Sequence, residues 1–151
     1  MRLAIREARK NLKTMHGGPF GACIVKGNKV LAVSRNLVLK KNDPTLHAEI
    51  CAIKEASRKL GDFVLSGCVL YSTCEPCPMC FSAIHWARID AVVYGANILD
   101  AKNSGFNELS IPANKMKQYG NSKVRVFAGF MPDDCRELFK AWDKLENKRL
   151  Y

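Results

Sequence analysis

An α/β fold is predicted for this chain: three layers, α/β/α, built on a mixed sheet of about five strands. Three observations predict it. Beyond residue 60, apolar runs of strand length alternate with segments of helical spacing, the pattern of strands joined by crossover helices. Before residue 60, two strand-like runs are separated only by Gly27-Asn28, so they pair antiparallel as a hairpin and the sheet is mixed. The chain has 151 residues, 48% apolar and 25% charged, which suits a single ordinary domain over 1–151.

The elements follow in order. Leu3, Ile5, Ala8 and Leu12 among Arg and Lys predict a short amphipathic helix ending near His16-Gly17-Gly18. Phe20 to Lys26 is apolar and reads as a buried strand; Val30 to Val33 returns as its partner. Residues 36–43 read as a polar loop. Asp43-Pro44 is expected to open a helix, with Asp as N-cap and Pro at the first helical position. Ile50, Ile53, Ala56 and Leu60 continue it and Gly61 closes it. Cys68 to Ser72 reads as a central strand. Glu75-Pro76 is expected to begin the next helix, running to about Ala87. Ala91 to Tyr94 is a strand. Residues 95–122 read as irregular, broken at Gly105, Pro112 and Gly120. Val124 to Phe127 is a last strand and Pro132 to Asn147 a last helix.

Lys and Arg number 24 against 14 Asp and Glu, a net +10. The excess is uneven: residues 1–60 carry 13 − 4 = +9, residues 61–110 carry 2 − 5 = −3, and residues 111–151 carry 9 − 5 = +4. Such a charge suits a nucleic-acid partner but is also common without one. No apolar run approaches the ~20 residues that span a bilayer, and Met1 to Arg9 lacks the apolar core of a signal peptide. Seven cysteines, an odd count without scaffold spacing, suggest reduced thiols in the cytoplasm, some of them holding a metal.

The chemistry concentrates in His47-Ala48-Glu49 and Pro76-Cys77-Pro78-Met79-Cys80. Cys77 and Cys80, three apart, lie on one helical face and can bind one ion. Early helix positions favour thiolates, through free N–H groups and the dipole. His47 and Glu49 are about 200° apart around a helix, so they share a site only off its end. Two helix starts aimed at one metal are expected. Three protein ligands (His47, Cys77, Cys80) leave a position for water on zinc, whereas structural zinc takes four. Glu49 is free to move the proton of that water. A structural site with Cys74 as fourth ligand, or a Cys-x-x-Cys redox pair, are the competing readings.

His-x-Glu followed by Pro-Cys-x-x-Cys is the signature of zinc deaminases that act on nucleobases. With Gly18-Pro19-Phe20-Gly21-Ala22, Asn42-Asp43-Pro44-Thr45 and Ala83-Ile84-x-Trp86-Ala87-Arg88, the chain resembles the cytidine deaminase-like superfamily across nearly its whole length. It is closest to the branch of guanine deaminases, with tRNA adenosine deaminases next. The resemblance implies a cytidine deaminase-like fold, one zinc ion, a homodimer, and hydrolytic deamination by zinc-bound hydroxide with Glu49 as proton shuttle. The Cys77 backbone N–H is placed to hold the developing oxygen.

Three features are similar to guanine deaminases: Trp86-Ala87-Arg88, the stretch Ser104-Gly105-Phe106-Asn107-Glu108, and an ending with Trp142 and a final aromatic, Tyr151. The resemblance implies that Asn36 hydrogen-bonds the base and that the tail closes the site, exchanged between subunits or not. Guanine offers donors at N1 and its 2-amino group, which the Glu108 carboxylate can accept. Phe20 and Trp86 could sandwich a planar base. The family more often has Asp in place of Glu108. A tRNA adenosine substrate, favoured by the +10 charge, or cytosine, a triazine or another nucleobase or nucleoside, are the alternatives. A nucleic-acid-binding module with structural zinc is a third class of reading.

Overall fold

The computed structural model describes residues 1–151. Its order of elements is α1 (Arg2–Arg9), α2 (Asn11–Thr14), β1 (Gly21–Lys26), β2 (Lys29–Arg35), α3 (Val38–Lys41), α4 (Ala48–Leu60), β3 (Cys68–Cys74), α5 (Pro78–Trp86), β4 (Ala91–Ala96), α6 (Ile98–Asn103), α7 (Ala113–Tyr119), β5 (Arg125–Phe127) and α8 (Pro132–Asp143). The five strands form one sheet in the order β2-β1-β3-β4-β5. β1 is antiparallel to β2 and to β3. β3, β4 and β5 run parallel, joined by helical connections as parallel neighbours require. This is the mixed five-stranded sheet expected.

Two apolar layers hold the helices to it. On one face, Ala48, Ala52 and Ala56 of α4 pack with Ile24, Leu70 and Val92 of the strands and with Ile84 of α5. The alanines recur every fourth residue, so a stripe of methyl groups runs along the side of α4 that meets the sheet and lets the helix lie close. On the other face, Ile5 and Ala8 of α1 and Leu138, Phe139 and Trp142 of α8 surround Cys74, Ala96 and Phe106. Three layers, α/β/α, result. No helix is long and apolar enough to cross a membrane, and all seven cysteines are free.

Several boundaries differ from the sequence reading. The helix expected from Pro44 begins at Ala48. Asp43 spends its carboxylate on the backbone N–H and hydroxyl of Thr45 at 2.8 and 2.6 Å, a local turn that competes with a helix. The helix expected from Pro76 begins at Pro78. A residue before proline is driven out of the helical region, and Cys77 precedes Pro78, so it is extended at φ −63°, ψ 168°. The loop 36–43 contains the single turn α3, and the segment 95–122 contains α6 and α7. Asn97 and Asp100 form a reciprocal capping box on α6, a signal the sequence carried. The first helix breaks at Lys10 into α1 and α2, and the last ends at Asp143, where Lys148 Nζ donates to the Asp143 carbonyl at 2.7 Å.

Candidate metal centre and pocket

A cavity of about 230 Å³ opens where β3 ends and α4 and α5 begin. Both helices start on a metal-binding residue type: His47 is the N-cap of α4 and Cys77 that of α5, each in extended backbone. The ligand atoms of His47, Cys77 and Cys80 all lie within 4.8 Å of one another, with His47 Nδ1 3.6 Å from Cys77 Sγ. A hydrogen bond from the Cys80 thiol, aided by His47, holds the Cys77 thiol down at about 4 against the cost of burial. The same shared proton, with burial, pushes Cys80 well up. A cation placed among the three would replace that proton and stabilise both thiolates. One imidazole and two thiolates fit zinc. Cys74 does not join them; its thiol donates to the Asn97 carbonyl at 3.4 Å. The four-ligand arrangement considered from the sequence is therefore not formed with Cys74.

Glu49, on the first turn of α4, is buried beside these donors but is not among them. Ser72 Oγ donates to its Oε1 at 3.2 Å. Burial pushes its carboxyl above the usual range, partly offset by His47. A carboxyl so placed, beside the three donors, can take and return a proton.

The opposite wall comes from distant parts of the chain. Asn36, 1% exposed, accepts at Oδ1 from the Val38 N–H at 3.0 Å and the Tyr151 hydroxyl at 2.7 Å. Both bonds end on the amide oxygen, so Nδ2 is the group left to donate to a ligand. Tyr151 in turn accepts from the Gly18 N–H at 2.8 Å, and burial pushes its phenol well up, so it stays protonated. Glu108 lines the same cavity. Burial, then the nearby Cys77 charge, pushes its carboxyl up to about 7. Gly17 and Gly18 make this wall possible. A Cβ on Gly17 would stand 2.1 Å from Asn36 Oδ1, and one on Gly18 2.6 Å from Phe20 and 2.7 Å from Phe106.

Phe20 lines the cavity and sits edge-on against Phe106 and Phe139, with ring centroids 4.8 and 5.5 Å away. Trp86 departs from expectation. It ends α5 on the outer surface, 73% exposed, and does not line the cavity. Cys77 and Cys80 occupy the other end of that helix, roughly 13 and 9 Å away at about 1.5 Å per residue, so the expected Phe20–Trp86 sandwich is not formed.

Residues 1–96 match the model of the cytidine and deoxycytidylate deaminase zinc-binding region. The chain belongs to this family. It is a zinc-dependent aminohydrolase. It is 38% identical to a guanine deaminase of Bacillus subtilis (strain 168) over 151 residues, covering 100% of this chain and 96% of that protein. It is 42% identical over 116 residues to a tRNA-specific adenosine deaminase of Aquifex aeolicus, covering 74% and 75%. In three dimensions it resembles a solved guanine deaminase from Nitrosomonas europaea, with a TM-score of 0.85, 28% identity, and coverage of 94% of this chain and 81% of that one.

The deaminase pocket also contains residues that sequence reasoning did not single out for a role: Val38, Pro44, Phe106, Asn107 and Glu75. Pro44, Phe106 and Asn107 stand inside the family-like motifs, and Glu75 had a visible signal as a carboxylate placed immediately before the Pro-Cys-Pro-Met-Cys motif; Val38 had none.

Proposed function

We propose that the enzyme deaminates a free purine base, guanine to xanthine and ammonia. One observation carries the reading: Tyr151 lines the cavity, its hydroxyl tied to Gly18 and Asn36 on one wall, and remains only half-buried, so its ring narrows the way between pocket and solvent. A base on a sugar-phosphate chain needs an open side through which the chain leaves. The full-length similarity to a guanine deaminase supports the same reading.

His47, Cys77 and Cys80 would hold zinc, which when bound would supply Lewis acidity and bring the pKa of a ligated water to roughly 7. Asn36 Nδ2 donates to an acceptor on the base, and Glu108 accepts from N1 and the 2-amino group. Phe20 packs against the ring. Glu49 takes a proton from water, places one on the ring nitrogen, and delivers another to the departing amine. The Cys77 N–H, a free donor at a helix start, steadies the oxygen at the attacked carbon. Water adds and ammonia leaves, which balances the reaction.

A tRNA adenosine substrate is the second reading, favoured by the net charge of +10 and the Aquifex relative. Ammonia release from guanine, guanosine, adenine, cytosine and an anticodon stem-loop separates the two. Guanine alone should react; turnover of the stem-loop without the free bases would overturn the proposal. We further propose a homodimer in a reducing, cytoplasmic setting, with the tail around Tyr151 supplied by either subunit. Light scattering tests the dimer, which a monomer at micromolar concentration would refute.

A further inference from the structure

The Glu75 carboxylate is nearly closed off from solvent, 8% exposed, yet it stands outside the cluster of metal-type donors and in none of the ion pairs. Each of its two oxygens accepts from a backbone donor, the two donors lying far apart in the chain, and the Tyr94 phenol adjoins the same carboxylate. Oε1 accepts from the Ala113 N–H at 2.9 Å and Oε2 from the Ile98 N–H at 3.2 Å. Ile98 is the first residue of α6 and Ala113 the first of α7, so both N–H groups lack a partner within their own helix. Between α6 and α7 lies the stretch that brings Phe106, Asn107 and Glu108 to the cavity. Glu75 also lies two residues before Cys77, and its N–H is tied to the Ala96 carbonyl at 2.8 Å.

One carboxylate thus fastens both flanks of the substrate wall to the segment that leads from β3 into Cys77 and Cys80. We propose that Glu75 is a positioning residue that sets the place of Glu108 relative to His47, Cys77 and Cys80. This rests on the role given above to Glu108. The carboxylate form matters because only it offers two acceptor oxygens; the amide of Gln offers one oxygen, and its NH₂ would face a second N–H.

The test is Glu75→Gln, alone and combined with Glu108→Ala, in the zinc-loaded protein. Zinc content should stay at one per chain. Amide hydrogen exchange in residues 98–113 should quicken roughly tenfold, as expected for losing a buried charge-assisted hydrogen bond. The KM for guanine should rise about fivefold or more, with kcat changed less. In the double variant, KM should be no higher than in Glu108→Ala alone, because Glu75 acts through Glu108. Additive effects on KM, or unchanged exchange at 98–113, would overturn the proposal. If Glu75→Gln does not fold, Glu75→Asp, too short to reach both N–H groups, is measured in the same way. If the unaltered enzyme does not act on guanine, the substrate assignment fails, and the exchange measurement alone decides whether Glu75 anchors the wall.

Discussion

The metal corner and the substrate wall of this pocket are built in opposite ways. The corner uses two helix starts, His47 and Cys77, with Glu49 and Cys80 within a turn of them, and lies wholly inside residues 1–96, which match the family model. The wall gathers Gly18, Asn36, Glu108 and Tyr151 through long-range contacts, and two of these residues lie outside that match. Local geometry fixes the chemistry; tertiary packing fixes what the chemistry acts on. A family can therefore keep one reaction while its substrates change.

Glu49→Ala strikes the corner and should have the largest effect. Turnover should fall by about 10³-fold, within the range for a lost general acid–base group, while one zinc per chain is retained by metal analysis. Near-normal turnover would take the proton-transfer role away from Glu49. Tyr151→Phe strikes the wall. It removes the donor to Asn36 and the acceptor for the Gly18 N–H, and KM for guanine should rise about tenfold, the effect of one or two buried hydrogen bonds, with zinc unchanged. If kcat fell instead, the division between corner and wall would be wrong. Trp86→Ser should leave KM within about twofold, because Trp86 does not line the cavity in this chain; a large rise would mean that the assembled enzyme brings Trp86 to the site.

The smallest effect lies outside both regions. Glu7 is held below the usual carboxylate range, hydrogen bonds from Lys10 and Arg35 outweighing the cost of burial. The unfolded chain therefore binds more protons there, and this contribution to stability is present above about pH 4.5 and fades as the pH falls. Glu7→Gln should lower the Tm by a few degrees at pH 7, and the gap should narrow in thermal melts at pH 4. A gap independent of pH would mean that the Arg35 contact acts through packing alone.

The same contrast explains what could be read in advance. His47, Glu49, Cys77 and Cys80 were legible because metal-binding spacing is local and few residue types can supply it. The five strands, the hairpin of the first two and the mixed sheet followed from apolar runs and one tight turn; the order of the sheet did not, because it is set by long-range pairing. Trp86 was misplaced because a motif says which residues are near in sequence, not which side of α5 faces the pocket. The starts of α4 and α5 were misjudged because an Asp–Pro or Glu–Pro pair resembles a cap, while Thr45 and Pro78 decide otherwise. α6 and α7 were hidden because Gly105 and Pro112 lie between and beside them, although the Asn97–Asp100 cap was visible. Glu75 could not be assigned from sequence, since both its partners lie more than twenty residues away.

Gly17 and Gly18 shape the pocket by the atoms they lack. In an alanine scan scored on turnover, both positions would register as though they gripped the substrate, because an added methyl drives into Asn36 or between Phe20 and Phe106. Neither glycine has a side chain with which to touch a base. Loss-of-function maps of this enzyme will mark the mould as well as the hand, and only a structure tells the two apart.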